Sequence, residues 1–392
     1  MIKTDDKTIE ELLNRGVDEV IIKEDLEKAL RSGQKLRIKF GVDPTAPDLH
    51  LGHAVPLKKL RQFQDAGHQA ILLIGDFTAA VGDPTGRNET RPMKTAEEIR
   101  QNLKTYIDQA SKILDMSKVE LRYNSEWYKD KGWDFIMTLT GKITVARVLD
   151  RDDFQKRLAN GSDIQMQEIL YPLMQGYDSV ELKADVEIGG TDQKFNMLMG
   201  RKLQKRYDQA EQNVLTCPLL EGTDGERKMS KSYGNYIALL DTPDDMFGKI
   251  MSLPDSMIIR YFELASDKSY VEIEDYKQRI KTENPRDLKF DLAESIIAIY
   301  HNQEAAAKAK ENFIQTFSKK ETPDEMPELH PSANDIVTVL TEATFVTSRA
   351  EARRALEQNG VRVNQEVITD INYQVKSGDV VQKGKRFFVK II

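Results

Sequence analysis

The chain has 392 residues, 40% of them hydrophobic, with a net charge of −7 and a single cysteine. That length predicts two or three domains, and one cysteine, Cys217, excludes an internal disulfide and a cysteine-based zinc site. The longest apolar run, residues 70–74, is far too short to cross a bilayer, and residues 1–6 lack the apolar core of a signal peptide, so a cytoplasmic protein without membrane contact is expected. The acidity is uneven: residues 334–392 carry nine Lys/Arg against seven Asp/Glu, a net +2, which leaves −9 on the rest. A local nucleic-acid footprint therefore stays open.

Taken in order, residues 8–32 place Ile9, Leu12, Leu13, Leu26 and Leu30 at helical spacing. Residues 36–40 predict a strand, 54–66 a helix with Leu57, Leu60 and Phe63 on one face, and 69–75 a second, buried strand. This is a β-α-β unit, expected to cross over right-handed. Its turn holds Gly41-Val42-Asp43-Pro44-Thr45-Ala46-Pro47-Asp48-Leu49-His50-Leu51-Gly52-His53. Unpaired N–H groups at the helix start collect anions there, and glycines at 41 and 52 let a ligand approach the backbone. A His-x-Gly-His match alone is a weak signal, since a helix cap and a packed ring would also produce it.

Residues 76–92 read as a glycine-rich loop with Gly82-Asp83-Pro84-Thr85-Gly86-Arg87 and then Arg91; loops of that length at strand ends tend to carry function. An amphipathic helix (95–114) and a strand (119–123) follow, and helices fill most of 133–177. In the last of these Tyr171, Gln175 and Asp178 recur at i, i+4 and i+7 on one face, the outer two about 10 Å apart along the axis. An acid and an amide buried there without partners would cost about 1–3 kcal/mol each, so partners are expected. A strand at 184–188 turns through Gly189-Gly190-Thr191-Asp192-Gln193 into a helix that ends at Arg206. Residues 213–220 read as the last core strand, and residues 222–225 lead into Lys228-Met229-Ser230-Lys231-Ser232, a loop suited to close over an anion. This five-residue run is a far stronger signal than the histidine pair.

Beyond residue 241 the pattern is helical, broken at Pro254 and Pro285, with a strong helix former at 304–310. Three prolines between 321 and 331 mark a linker. The remainder reads as a separate module: a helix at 348–356, then short strands from Gly360-Val361-Arg362-Val363-Asn364 to Lys385-Arg386-Phe387-Phe388-Val389. The expected division is thus 1–232, 233–320, a linker at 321–333, and 334–392. The expected fold class is α/β: a Rossmann-like parallel sheet, then a helical domain, then a small C-terminal α+β module.

The two motifs together, Asp43-Pro44-Thr45-Ala46-Pro47-Asp48-Leu49-His50-Leu51-Gly52-His53 and Lys228-Met229-Ser230-Lys231-Ser232, resemble the signatures of class I aminoacyl-tRNA synthetases. The extended first motif is similar to that of the bacterial tyrosyl-tRNA synthetase family, from about Ile38 to the C-terminus. The last sixty or so residues resemble an S-four-type RNA-binding module, with Arg349, Arg353 and Arg354 toward RNA.

The resemblance implies a two-step reaction, in which tyrosine attacks ATP to give tyrosyl-adenylate and pyrophosphate and the acyl group then passes to tRNA(Tyr). It implies Thr45 and His50 on the departing phosphates, His53 by the nucleoside, and Lys228 and Lys231 on the pyrophosphate, with help from Arg87 and Arg91. Gly41, Asp43, Gly52, Gly190, Asp192 and Lys231 would line the ATP site, with Asp192 on the ribose. Asp83, Tyr171 and Gln175 would surround the amino acid's ammonium, Gln193 would lie near its carboxylate and Asp178 on its phenol, with Thr78 also in the tyrosine site. Lys39 stands where many members carry a tyrosine.

ATP would enter with Mg²⁺; no tightly bound cofactor and no protein-held metal are expected, because the local pattern supplies no carboxylates to complete a His50/His53 site. A homodimer is implied as well. A small-molecule nucleotidyltransferase would need neither the C-terminal module nor Asp178. A non-catalytic RNA binder would not need the lysine loop, and a tryptophanyl-tRNA synthetase would not need a phenol acceptor.

Overall fold

A computed structural model describes residues 1–85, 95–318, 326–384 and 387–392. The chain forms two compact units, Met1–Ala306 and Ala307–Ile392.

The first unit is built on a six-stranded sheet. Its strands are β1 (Glu19–Ile21), β2 (Arg37–Val42), β3 (Gln69–Ile74), β4 (Glu120–Tyr123), β5 (Val186–Gly190) and β6 (Asn213–Cys217), in the spatial order β1-β6-β5-β2-β3-β4. β2 to β6 run parallel, and β1 joins the edge antiparallel to β6, pairing Val20 with Leu215. From β2 the chain winds outward through β3 and β4, then returns to the other side of β2 for β5 and β6. The winding therefore reverses between β2 and β5, and in doubly wound sheets ligands bind in the crevice beyond the strand ends at such a reversal. β3 is buried on both faces, with Ala70, Ile71, Leu72, Leu73 and Ile74 all at most 2% exposed, as a central parallel strand requires.

Around the sheet lie α1 (Asp6–Asn14), α2 (Lys23–Arg31), α3 (Leu51–Asp65), α4 (Thr78–Val81), α5 (Ala96–Ala110), α6 (Ser125–Tyr128), α7 (Trp133–Thr140), α8 (Val145–Leu149), α9 (Asp152–Ala159), α10 (Met166–Leu182) and α11 (Lys194–Arg206). α10 and α11 touch backbone to backbone. A Cβ at Gly176 would sit 3.0 Å from the Gly200 nitrogen, and one at Gly200 would sit 2.6 Å from Gln212 Nε2. Five further helices follow, α12 (Pro243–Met251), α13 (Ile258–Ala265), α14 (Tyr270–Arg279), α15 (Pro285–Tyr300) and α16 (Gln303–Ser318). Pro285 sits in the first turn of α15, where its missing N–H has no intrahelical partner to lose.

Several expectations need correcting. Residues 8–32 are not continuous helix: Gly16 takes φ +62° and the β-branched run after it supplies β1. The last core strand stops at Cys217 instead of Leu220, because Pro218 has no N–H to donate to a ladder. The loop expected at 76–92 contains the single turn α4.

In the second unit, α17 (Ile336–Glu342) and α18 (Arg349–Glu357) pack on a five-stranded sheet. Its strands are β7 (Glu328–Leu329), β8 (Val361–Val363), β9 (Glu366–Val367), β10 (Val380–Lys383) and β11 (Phe387–Ile391), ordered β7-β11-β10-β8-β9. Ile336, Val339, Leu340, Ala352, Leu356, Val361 and Val381 are fully buried between helices and sheet. Glu328 and Leu329 fall within the expected linker, yet they pair in parallel with Lys390 and Ile391. Prolines flanking a sheet edge are tolerated because an edge leaves N–H positions unused.

Candidate active site

Where β2 and β5 diverge, a cavity of about 530 Å³ opens, and side chains from both halves of the sheet line it. Gly41, Asp43, Thr45, His50, Gly52, His53, Thr78, Asp83, Tyr171, Gln175, Asp178, Gly190, Asp192, Gln193 and Lys228 all border this one space. Lys231 lies outside the lining, Arg87 and Arg91 lie outside the described residues, and Arg349, Arg353 and Arg354 belong to α18 in the second unit.

One end of the cavity is acidic and tightly bonded. Tyr171 donates its hydroxyl to Asp43 Oδ2 (2.8 Å), and Thr78 donates to Asp43 Oδ1 (2.9 Å). Any side chain at Gly75 would destroy this node, since its Cβ would lie 1.9 Å from Asp43 Oδ1 and 2.4 Å from Thr78 Oγ1. Burial, followed by Asp43 and Asp83, pushes the Tyr171 hydroxyl well above its ordinary value, so it stays a donor. Deeper in, Asp178 is 3% exposed and accepts from Trp127 Nε1 (3.0 Å) and Asn124 Nδ2 (3.4 Å). Burial raises its carboxyl to about 7 against the opposing effect of Lys39 and these donors. Gln193 donates to Asp83 Oδ2 (2.7 Å), with the Thr85 N–H on Asp83 Oδ1 (2.9 Å). The Gln175 Oε1 atom is buried and has no protein partner.

At the other end, His50 occupies the N-cap position of α3. The His50 and His53 rings lie 3.8 Å apart between centroids, and the His50 backbone N–H points at His53 Nδ1 (3.3 Å). Both rings are neutral at pH 7: burial lowers His50 to about 2 and His53 to about 4, reinforced by the positive charges of Lys228 and Lys231. His50 Nδ1 is buried with no protein partner. A Cβ at Gly52 would press on the His50 ring at 3.1 Å, so glycine there lets the ring fold back over the helix start.

The lysine loop is fastened on both sides of the signature. Met229 N–H donates to Leu220 O (2.8 Å) and Ser230 N–H to Asn235 Oδ1 (2.8 Å), while Leu51 N–H reaches Ile237 O (3.0 Å) and Leu239 N–H reaches Leu49 O (3.0 Å). The residues after the loop thus hold the start of α3. Both lysines rest on carboxylates, Lys228 on Asp192 Oδ2 (2.9 Å) and Lys231 on Asp48 Oδ2 (2.8 Å).

The residues that sequence reasoning missed are partners more than cavity walls: Asn124 and Trp127 on Asp178, Asp48 on Lys231, and Arg151. Arg151 is 5% exposed and lies 3.9 Å from Asp83. Among the described residues, no group of three or more His, Cys, Asp or Glu side chains could hold a metal ion, and no helix is long and apolar enough to cross a membrane.

A doubly wound parallel sheet with a histidine-bearing helix start and a two-lysine loop beside its crevice defines a nucleotide-binding enzyme that handles phosphate groups. Residues 31–318 match the family described as tRNA synthetases class I (W and Y), and residues 336–381 match the S4 domain. A tyrosine–tRNA ligase of Thermotoga maritima is 51% identical over 385 residues, covering 97% of this chain and 96% of that protein. One of Carboxydothermus hydrogenoformans is 50% identical over 398 residues, covering 97% of each. Among solved structures, a C-terminally truncated mitochondrial tyrosyl-tRNA synthetase of Coccidioides posadasii is 26% identical with a TM-score of 0.65, covering 78% of this chain and 91% of that one. The chain belongs to the tyrosine–tRNA ligase family of the class I synthetases.

Proposed function

We propose that this chain activates tyrosine with ATP and transfers it to the 3′ end of tRNA(Tyr), with the residue roles that follow. The observation that carries the reading is the single cavity between β2 and β5, which has an acidic, donor-lined end and a histidine-and-lysine end. The acidic end suits an amino acid: Asp83, Tyr171 and Gln175 surround its ammonium, Thr78 borders the same site, Gln193 approaches its carboxylate, and Asp178 accepts from its phenol. The other end suits ATP, brought in as its Mg²⁺ complex. Gly41, Gly52 and Gly190 give the nucleotide room, Asp43 borders it from the amino-acid end where it is held by Tyr171 and Thr78, Asp192 takes the ribose hydroxyls, and Thr45, His50 and His53 contact the phosphates and nucleoside.

The substrate's carboxylate is already ionised at neutral pH, so the first step needs no general base. It needs an in-line approach to the α-phosphorus and neutralisation of the charge that builds on the leaving pyrophosphate. Neutral histidines offer N–H groups to phosphate oxygens without having to gain a proton first. Lys228 and Lys231 supply the positive charge, assisted by Arg87 and Arg91. Because Lys228 rests on Asp192, ribose binding at that carboxylate displaces the lysine toward the phosphates, and nucleotide entry then readies the loop.

The bacterial subgroup with Lys39 in place of tyrosine, the division into 1–232, 233–320, 321–333 and 334–392 with β7 of the linker joined to the last module's sheet, a cytoplasmic homodimer, and RNA contact through Arg349, Arg353 and Arg354 belong to the same proposal. Arg353 and Arg354 are exposed on α18, and Arg349 is two-thirds exposed, which leaves them available to phosphates. Tyrosine-dependent exchange of labelled pyrophosphate into ATP tests the reading. Exchange with tryptophan, or with no amino acid at all, would overturn it.

A further inference from the structure

The floor of the cavity contains a buried pair of opposite charges. Lys39 has no exposed surface and Glu187 is 2% exposed. They are direct neighbours across β2 and β5, with Lys39 Nζ 2.9 Å from Glu187 Oε1. The ammonium has three N–H donors, and the other two go to the carbonyl oxygen of Gln175 (3.1 Å) and to Ser179 Oγ (2.9 Å). These acceptors bracket Asp178 on a single turn of α10. Glu187 in turn accepts from Ser179 Oγ (3.1 Å) and Gln212 Nε2 (2.5 Å). Apolar groups of the same volume would tie strand to helix with less desolvation, so tethering alone does not account for a charge here.

We infer that Lys39 is a positioning residue for recognition of the substrate phenol: held by Glu187, its ammonium grips the Gln175–Ser179 turn and serves as the counter-charge of Asp178. This rests on the reading of Asp178 as the phenol's acceptor. Lys39 has no donor left for the substrate, because all three are used inside the protein. It acts through Asp178, keeping that carboxylate in place and ionised so that it can accept a strong hydrogen bond.

The groups that face Asp178 are Lys39 from β2, Trp127 and Tyr128 from α6, Asn124 just before α6, and Tyr171 from its own helix. Lys39 is the cation in this set, and its effect on Asp178 is the largest of those that oppose burial.

The test measures tyrosine and phenylalanine affinity from about pH 5.5 to 8.5 on the full chain. The proteins are the wild type, the double variant Lys39→Met/Glu187→Gln, the single variant Glu187→Gln, and Asp178→Asn. His50 and His53 do not titrate in this window, being lowered to about 2 and about 4. In the wild type, tyrosine affinity is expected to rise through a midpoint near 7 while phenylalanine affinity stays level. Without the ammonium the midpoint moves up by about one pH unit or more. With the ammonium kept but Glu187 neutral, it moves down.

Opposite shifts cannot come from a merely loosened pocket. Coincident midpoints in the three proteins that keep Asp178, or equal loss for both amino acids at every pH, would overturn the inference. If the double variant does not fold, Glu187→Gln decides alone: a downward shift supports the inference, and an unmoved or raised midpoint overturns it. Asp178→Asn separates the two layers. If tyrosine preference survives that change, the phenol reading itself fails. If it is lost while the midpoints of the Lys39 and Glu187 variants stay put, only the role of Lys39 falls.

Discussion

Replacing Lys231 with alanine separates the cost of removing a ground-state contact from the cost of removing a transition-state one. In the structure Lys231 Nζ rests 2.8 Å from Asp48 Oδ2, with the two side chains 25% and 35% exposed. An ion pair this open to water contributes about 0–1 kcal/mol to stability. The residue does not line the cavity, so the amino-acid subsite keeps all its contacts. Loss of a charged donor aimed at developing charge is a different matter, with a cost of about 2.7–4 kcal/mol, or 10²–10³ in rate. The expected variant is therefore folded, binds tyrosine as before, and forms adenylate about a hundredfold or more slowly. Quench-flow measurement of adenylate formation at saturating tyrosine, beside equilibrium tyrosine binding and a thermal melt, checks all three. A rate close to wild type, or a loss of tyrosine affinity as large as the loss of rate, would refute the placement of Lys231 on the pyrophosphate.

Asp178→Ala is expected to lower the preference for tyrosine over phenylalanine by at least tenfold, about 1.4 kcal/mol; equal loss for both in an exchange assay would point to damaged folding instead. Tyrosyl-tRNA synthetases are themselves the standard case of rejecting an analogue that lacks a hydroxyl. A chain ending before Pro327, so that β7 is not left without its partner β11, should keep pyrophosphate exchange but charge tRNA with a raised KM. That defect should shrink at low salt, and aminoacylation at two salt concentrations reads it directly. Because His50 and His53 are lowered to about 2 and about 4, adenylate formation should show no histidine step near pH 6.5; a step there in the pH–rate profile would contradict their neutral role. Burial lowers His68 to about 4. Below pH 6.5 the unfolded chain then takes up a proton that the folded one refuses, and stability falls as pH drops toward 4, which denaturant titrations across that range would detect.

The parallel strands could be read from sequence because β3 is a run of apolar residues and β2 and β4 alternate charged with apolar ones, each bounded by glycine, proline or a polar cluster. The two motifs were legible for a related reason: each is contiguous, so its chemistry is written in one place. β1 escaped because Ile9, Leu12 and Leu13 set a helical rhythm that Leu26 and Leu30 resume, which hid the three strand residues between them. β7 escaped because two residues beside a proline hold no periodicity. The partners of Asp178 left no local trace. Trp127 and Asn124 are 51 and 54 residues away and meet it only once β4 has placed α6 beside α10. Lys39 was visible as a departure from the tyrosine that many family members carry at that place. That its charge is answered by Glu187, the neighbour in register on β5, depends on a strand order that no single segment encodes.

The contact between Gly176 and Gly200 bears on how substrate choice in such an enzyme can be altered. A Cβ at Gly200 would crowd not only Gln212 Nε2 but also Ser179 Oγ at 3.1 Å and Glu187 Oε2 at 3.2 Å. One added methyl between two helices would therefore press on Ser179 and Glu187, two of the three groups that hold the Lys39 ammonium, and on Gln212, which holds Glu187, although Gly200 does not line the cavity. A library that randomises only the residues facing the amino acid leaves this position untouched. Small substitutions at 200, paired with a shortened side chain at 212 to take up the volume, reach the phenol end of the pocket from behind and keep every direct contact in place.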